Sequence, residues 1–170
     1  MKQQVKLYVI RHGEAMPAQA LQGDAIRPLT PFGEQEVMVN AQWLAHYLNA
    51  QAHPALDLLL VSPLVRARQT ASVLTSVVQT KHEQVCTDIT PEGNAEQFAD
   101  WLFAELQHLG SQVKQVAIVS HMPFVSFLVA ALDKAATPIM FPTAGIAELT
   151  LQPEDWQGHF ERMAVAEPPQ

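Results

Sequence analysis

One cysteine, Cys86, is all that the 170-residue chain contains. An intrachain disulfide and a CxxC metal site are therefore excluded, and Cys86 reads as a small filler of a strand. Basic residues are few as well. Ten Lys and Arg stand against 17 Asp and Glu, a formal net charge of −7, so the broad cationic face that nucleic acid requires is missing. No apolar run is long enough to cross a membrane, and no signal-peptide core precedes the first strand at Val5. The expectation is a cytoplasmic protein that engages neither membrane nor nucleic acid. HExxH, GxSxG and GxxxxGK[ST] are also absent, which removes a zincin site, a serine-hydrolase elbow and a triphosphate loop. Cys86 is followed six residues on by Glu92 and not by an arginine, so the phosphate loop of cysteine-dependent phosphatases is missing. Asp88 has no partner two residues away, against an aspartyl-phosphate enzyme.

What is present is the pattern of a globular protein, with 48% hydrophobic and 16% charged residues. The length fits one domain over 1–170, with residues 164–170 expected as a flexible tail. No repeat, linker or low-complexity segment interrupts it. The stretch Val5–Glu14, VKLYVIRHGE, is a short apolar run that stops in Arg-His-Gly. Such a run reads as a buried strand, and its C-terminal rim is where open α/β sheets bind ligands. Gly13 would let the backbone come close to a ligand there. Val116–His121, VAIVSH, repeats the design, so two strands deliver a histidine each to one edge.

In chain order, Arg11 to Thr30 is a loop long enough to be functional. Thr30-Pro31 reads as an N-cap with proline at the first helical position, and Val37, Ala41, Leu44 and Leu48 share one helical face. Leu56–Val61 is a buried strand. Ser62-Pro63 repeats the cap-plus-proline start, opening a helix with Leu64, Ala67, Ala71, Leu74 and Val78 inward. Gln84–Ile89 is a weaker strand. Asn94 with Gln97 resembles a capping box before a helix carrying Phe98, Trp101, Leu102, Leu106 and Leu109. After the strand at Val116, the residues from Pro123 to Leu132 are apolar nearly all round, a helix buried on most sides. Ile146–Leu151 alternates and reads as a half-exposed, antiparallel edge strand, with a turn at Asp155–Gly158 and a short last strand near His159–Met163. Strands alternating with helices predict a three-layer α/β/α sandwich whose sheet is mostly parallel.

Of five arginines, Arg11, Arg27 and Arg66 fall in the segments that matter. Arg66 lies near the start of a helix, whose dipole favours phosphate. His121 is followed by Met122-Pro123 and another helix start, with free N–H groups suited to an anion. Arg27 sits in Arg27-Pro-Leu-Thr within the long loop. Each alone could be an ordinary solvated or structural residue; together they describe a phosphate site.

Arg11-His12-Gly13-Glu14, Ser62-Pro-Leu-Val-Arg66-Ala and Val119-Ser-His121 resemble the motifs of the histidine phosphatase (phosphoglycerate mutase-like) superfamily, and the finer match is to its small SixA-type phosphohistidine phosphatases. The resemblance extends through Arg27-Pro-Leu-Thr-Pro-Phe-Gly33 and VSPLVRARQT, over nearly the whole chain. Mutases carry an Asn shortly after RHGE, where Met16–Gln19 offers none. The acid phosphatase branch has an Arg where Ala15 stands and a proton-donating Asp where Met122 stands. The usual general acid is thus not visible; Asp88 and Glu92 are the nearest carboxylates in the right region.

The resemblance implies that His12 is a nucleophile forming phospho-His12, that Arg11 and Arg66 clamp the phosphoryl oxygens, and that His121 holds a third oxygen, protonated when substrate is bound. Arg27 is a weaker phosphate contact. No metal and no cofactor are implied, because guanidinium groups supply the charge. The absence of an acid fits a P–N bond better than a P–O bond, since a phosphorylated imidazole can leave as neutral histidine. The substrate is then a phosphohistidine on another protein, by resemblance a phosphotransfer domain or phosphocarrier, met by a monomer with an open pocket. The alternatives are a small-molecule phosphomonoesterase on the same site or a non-catalytic phosphate-binding module.

Overall fold

The computed structural model describes residues 3–19 and 22–165. Of the tail predicted over 164–170, residues 166–170 lie outside the described residues, and Ala164 is the last residue of a strand. In chain order the elements are β1 (Val5–Arg11), α1 (Pro31–Ala50), β2 (Ala55–Leu56), β3 (Leu58–Val61), α2 (Val65–Val77), β4 (Gln79–Thr80), β5 (Glu83–Val85), α3 (Ala95–Leu109), β6 (Gln115–Ser120), α4 (Phe124–Leu132), β7 (Ile146–Gln152) and β8 (Gln157–Ala164). Six strands form one sheet in the order β5-β3-β6-β1-β7-β8. The first four are parallel, and β7 runs antiparallel to both of its neighbours, β1 and β8.

Strand alternation divides the core in two. Val5, Leu7 and Val9 of β1 point with Val116 and Ile118 toward α3 and α4, whose Leu102, Phe103, Leu106, Leu128 and Val129 complete one cluster. Tyr8 and Ile10 point with Ala117 and Val119 to the opposite face, against Leu44 and Leu48 of α1 and Ala67, Ala71 and Leu74 of α2. Each fully buried Leu, Phe or Val contributes about 1.5–3 kcal/mol, so both faces are anchored and the three-layer architecture follows. Two of the predicted helix starts obey local chemistry. Thr30 Oγ1 accepts from Gly33 N at 2.9 Å and Asn94 Oδ1 from Gln97 N at 3.0 Å.

Several expectations change. The helix after Ser62-Pro63 begins only at Val65, with Leu64 extended and no side-chain cap, because the Ser62 hydroxyl is engaged elsewhere. α4 buries most of its residues but leaves Phe127 exposed. A two-stranded pair, β2 with β4, was not foreseen because two-residue strands carry no periodic signal. Cys86 lies one residue past β5, half-buried, and burial raises its thiol pKa.

The largest correction concerns β7. It is antiparallel as predicted but not at the edge, because β8 pairs along its whole length. Glu148 is therefore fully buried. Its carboxylate accepts from the Tyr47 hydroxyl at 2.6 Å and pairs with Arg162 Nε at 3.0 Å and Lys6 Nζ at 3.4 Å. Alternation concealed this, since a paired buried carboxylate and a solvated one occupy the same position in the pattern. Glu148→Ala should destabilise the fold by about 1–3 kcal/mol, the range for stranding a buried polar partner. Urea unfolding measures it, and a midpoint shift equivalent to under about 0.5 kcal/mol, within the surface-substitution range, would mean the network contributes nothing.

Candidate active site

The parallel pairing of Arg11 with Ser120 continues one step beyond the strands, where the His12 amide donates to the Ser120 carbonyl at 3.0 Å. His12 and His121 thus leave the sheet side by side, with ring centroids 5.0 Å apart and planes tilted by 57°. The other flank of β1 is held by the segment after α4. Arg11 N donates to Gly145 O and Ala144 N to His12 O, both at 3.0 Å. Gly13 does come close to backbone, but to a helix rather than a ligand. A Cβ there would lie 2.6 Å from Gly33 O and 2.8 Å from Val37 Cγ2 of α1. Its amide also donates to Thr70 Oγ1 at 3.2 Å, and Thr70 donates to Arg66 O at 2.8 Å, which ties α2 to the histidine loop.

Both ring nitrogens of His12 have assignable roles. Nδ1 lies 2.6 Å from the Gly13 carbonyl, which can only accept, so Nδ1 carries the proton. Nε2 keeps its lone pair and accepts from Arg66 Nε at 3.3 Å. Burial, with Arg66, Arg11 and Arg27 nearby, lowers the His12 pKa to about 4 despite the opposing Gly13 bond. Burial likewise lowers His121 to about 3, with His12 and Arg66 adding to it. In the free site both imidazoles are therefore neutral at pH 7, and His121 would take up a proton from solvent only where a bound dianion favours the charged form.

Arg66 is almost fully buried, and its other nitrogens hold one residue that the sequence did not single out. Nη1 donates to Asp24 O at 2.9 Å and Nη2 to Asp24 Oδ2 at 3.0 Å. Asp24 Oδ1 accepts from Arg27 Nη1 at 2.9 Å, and Arg27 Nε donates to Met16 O at 2.7 Å. Arg27 thus lies within electrostatic reach of His12, while its hydrogen bonds are spent on the loop. Hydrogen bonds from Arg27 and Arg66 hold the Asp24 carboxyl below its ordinary pKa against partial burial. The only local signal was an Asp after Gly23 and three residues before an arginine, a common turn pattern. The loop reaches α2 because Val65 N donates to Ala25 O at 3.0 Å and Leu29 N to Gln69 Oε1 at 2.7 Å.

Arg11 donates from Nη1 to Phe141 O at 2.6 Å, and its buried Nε has no protein partner. His121 Nδ1 is also buried without one. Unmet buried polar atoms cost about 1–3 kcal/mol each, so two in one site mark a place shaped for a polar ligand, and Arg11 Nε, which can only donate, calls for an acceptor such as an oxyanion. Asp88 and Glu92 are not part of it. Both are exposed, and no hydrogen bond or ion pair among the described residues joins either to His12, His121, Arg11 or Arg66. Asp88 lines a separate cleft of about 400 Å³ with Thr90, Asn94, Gln97 and Trp101. No group of three or more His, Cys, Asp or Glu side chains among the described residues is arranged to hold a metal ion, and no described helix is long and apolar enough to cross a membrane.

Comparison with known proteins finds that residues 7–90 match the family described as histidine phosphatase superfamily, branch 1. A phosphohistidine phosphatase SixA homolog of Haemophilus influenzae is 35% identical over 158 residues, 91% of this chain and 90% of its own. Phosphohistidine phosphatase SixA of Escherichia coli is 34% identical, covering 92% and 91%. A solved structure of the protein histidine phosphatase SixA with tungstate superposes with a TM-score of 0.82 at 32% identity, over 95% of this chain and 97% of that one.

The depressed histidines make stability depend on pH. Each binds a proton more readily unfolded, near pH 6.5, than folded, near 4 or 3. Stability should therefore be complete above about pH 6.5 and fall by roughly 3 kcal/mol for each histidine, about 6 kcal/mol for the pair, as the pH drops toward 4. In a His12→Gln, His121→Gln double variant the urea midpoint should vary much less across that window. An equally steep profile in the variant would place the proton uptake elsewhere.

Proposed function

The chain belongs to the histidine phosphatase superfamily, and from that we propose that it is a phosphohistidine phosphatase: a single catalytic domain that dephosphorylates a phosphotransfer or phosphocarrier protein in the cytoplasm through phospho-His12. The observation that carries this reading is the state of His12. Its Nδ1 proton is tied to Gly13 O, and the lone pair of Nε2 is unprotonated at neutral pH. Nε2 attacks phosphorus in line, and the bond from phosphorus to the substrate imidazole breaks. The electron pair goes to that imidazole nitrogen. With its other nitrogen protonated, the imidazole departs as a neutral base. Water then attacks phospho-His12, its proton ends on orthophosphate, and His12 is restored. Arg11 and Arg66 bind the equatorial oxygens, and His121 donates to a third.

The carboxylates support a P–N over a P–O substrate. The carboxylate that pairs with Arg66, Asp24, is held ionised by two arginines and so has no proton to give an alkoxide. A protein-borne substrate is supported by the apolar side chains flanking the site. Met16 and Ile26 adjoin the contacts of Arg27, and Met140, beside Phe141, is 77% exposed. Such a rim suits a protein face better than a sugar.

Phosphate release should be measured from a phosphohistidine protein and from a panel of alkyl phosphomonoesters. The protein is expected to react and the alkyl esters hardly at all; comparable kcat/KM for both would overturn the assignment. His12→Ala should lower turnover by at least about a thousandfold, and acid-labile, base-stable phosphate should be trapped on the wild-type enzyme.

A positioned general acid contributes about 10²- to 10⁴-fold. Asp24→Asn, Asp88→Asn and Glu92→Gln should each change turnover of the phosphoprotein by less than about tenfold, below that range. A hundredfold loss in Asp88→Asn or Glu92→Gln would identify an acid. Chelators should leave the rate unchanged, since guanidinium groups meet the phosphoryl charge; loss with chelator and recovery with Mg²⁺ or Zn²⁺ would contradict the reading.

A further inference from the structure

We infer that Ser62 is a positioning residue that fixes the tautomer of His121, directing the single ring proton to Nδ1, the nitrogen left for the phosphoryl group. The inference rests on the reading of His121 as a phosphoryl ligand. Ser62 follows β3, and its amide donates to Val119 O at 3.0 Å, beside the end of β6. Its hydroxyl lies 2.6 Å from His121 Nε2, with both residues buried.

A neutral imidazole has one proton and two places for it. If Nε2 held it, Nε2–H would donate to Ser62 Oγ. The serine hydrogen would then need another acceptor, and the only other hydrogen-bond partner of Oγ among the described residues is a donor, the Leu64 amide at 3.4 Å. Nδ1 would also present a lone pair to an incoming oxyanion. If Nδ1 holds the proton, Ser62 donates to Nε2 and accepts from Leu64 N. Only Nδ1–H is then left without a protein partner, and that is the buried orphan found in the site. The second arrangement leaves one group unmet where the first leaves two. It also turns the unmet group into a donor that a phosphoryl oxygen satisfies. Ser62 thereby acts on the reaction without touching the substrate, much as second partners orient ligating histidines in metal sites.

The test reads the tautomer directly. Long-range ¹H–¹⁵N NMR of the uniformly ¹⁵N-labelled protein at pH 7, with His121 signals assigned by their loss in His121→Gln, should show Nδ1 protonated and Nε2 bare. In Ser62→Ala the signals should move toward the other tautomer or an average. Tungstate should bind about tenfold more weakly, and kcat should fall by about tenfold or more with little change in KM. Ser62→Thr, which keeps the hydroxyl, should restore all three. If Ser62→Ala does not fold, the wild-type and Ser62→Thr spectra still decide. An Nε2–H tautomer or an imidazolium in the free wild-type protein overturns the inference, as does an Nδ1–H tautomer with unaltered tungstate affinity in Ser62→Ala. A wild type with the Nδ1–H tautomer that releases no phosphate from any phosphohistidine protein would instead remove the proposed function.

Discussion

Because β1 and β6 are parallel neighbours in fixed register, and because the His12 amide extends their ladder onto Ser120, two imidazoles emerge from the sheet at one height and a ring's width apart. The remaining features of the site depend on that pairing. Flanking strands exclude water from both rings, and exclusion of water depresses their pKa values. Depressed values keep Nε2 of His12 unprotonated at neutral pH. The same ladder sets the distance across which Arg66, at the first turn of α2, reaches His12.

Charge is organised locally against the character of the whole. The chain carries a net −7, yet three guanidinium groups act on one buried imidazole; Asp24 answers Arg27 and Arg66 from the loop, and Glu36 of α1 acts on Arg11. Such concentration gives an anion pocket without a basic surface. Glu148 presents the inverse arrangement at the antiparallel end of the sheet, where one buried carboxylate is met by Lys6, Arg162 and Tyr47.

The sequence made the strand-borne part of the site legible and hid the part made by tertiary contact. His12 and His121 end apolar runs, and Arg66 follows a helix-start signal, so local pattern predicts their edge. Asp24 could not be found this way. Its partner Arg66 lies 42 residues on, and nothing near Asp24 distinguishes it from an ordinary turn residue. Ser62 was visible but misread, since a serine before proline carries the same letters whether it caps a helix or meets a histidine. For β7 the direction was readable and the neighbour was not, because alternation reports one buried face and is silent about a strand that covers the other side.

Asp24 also bears on what the enzyme does between turnovers. One hydrogen on each terminal nitrogen of Arg66 already bonds to Asp24, to its carbonyl and to its carboxylate. The guanidinium is thus oriented, and its charge partly answered, by an anion of the chain itself. In the proposed reaction a phosphoryl group would share Arg66 with Asp24, since each terminal nitrogen still has a second hydrogen to offer. The loop carboxylate works as a tie-rod that sets the plane of the cation in advance.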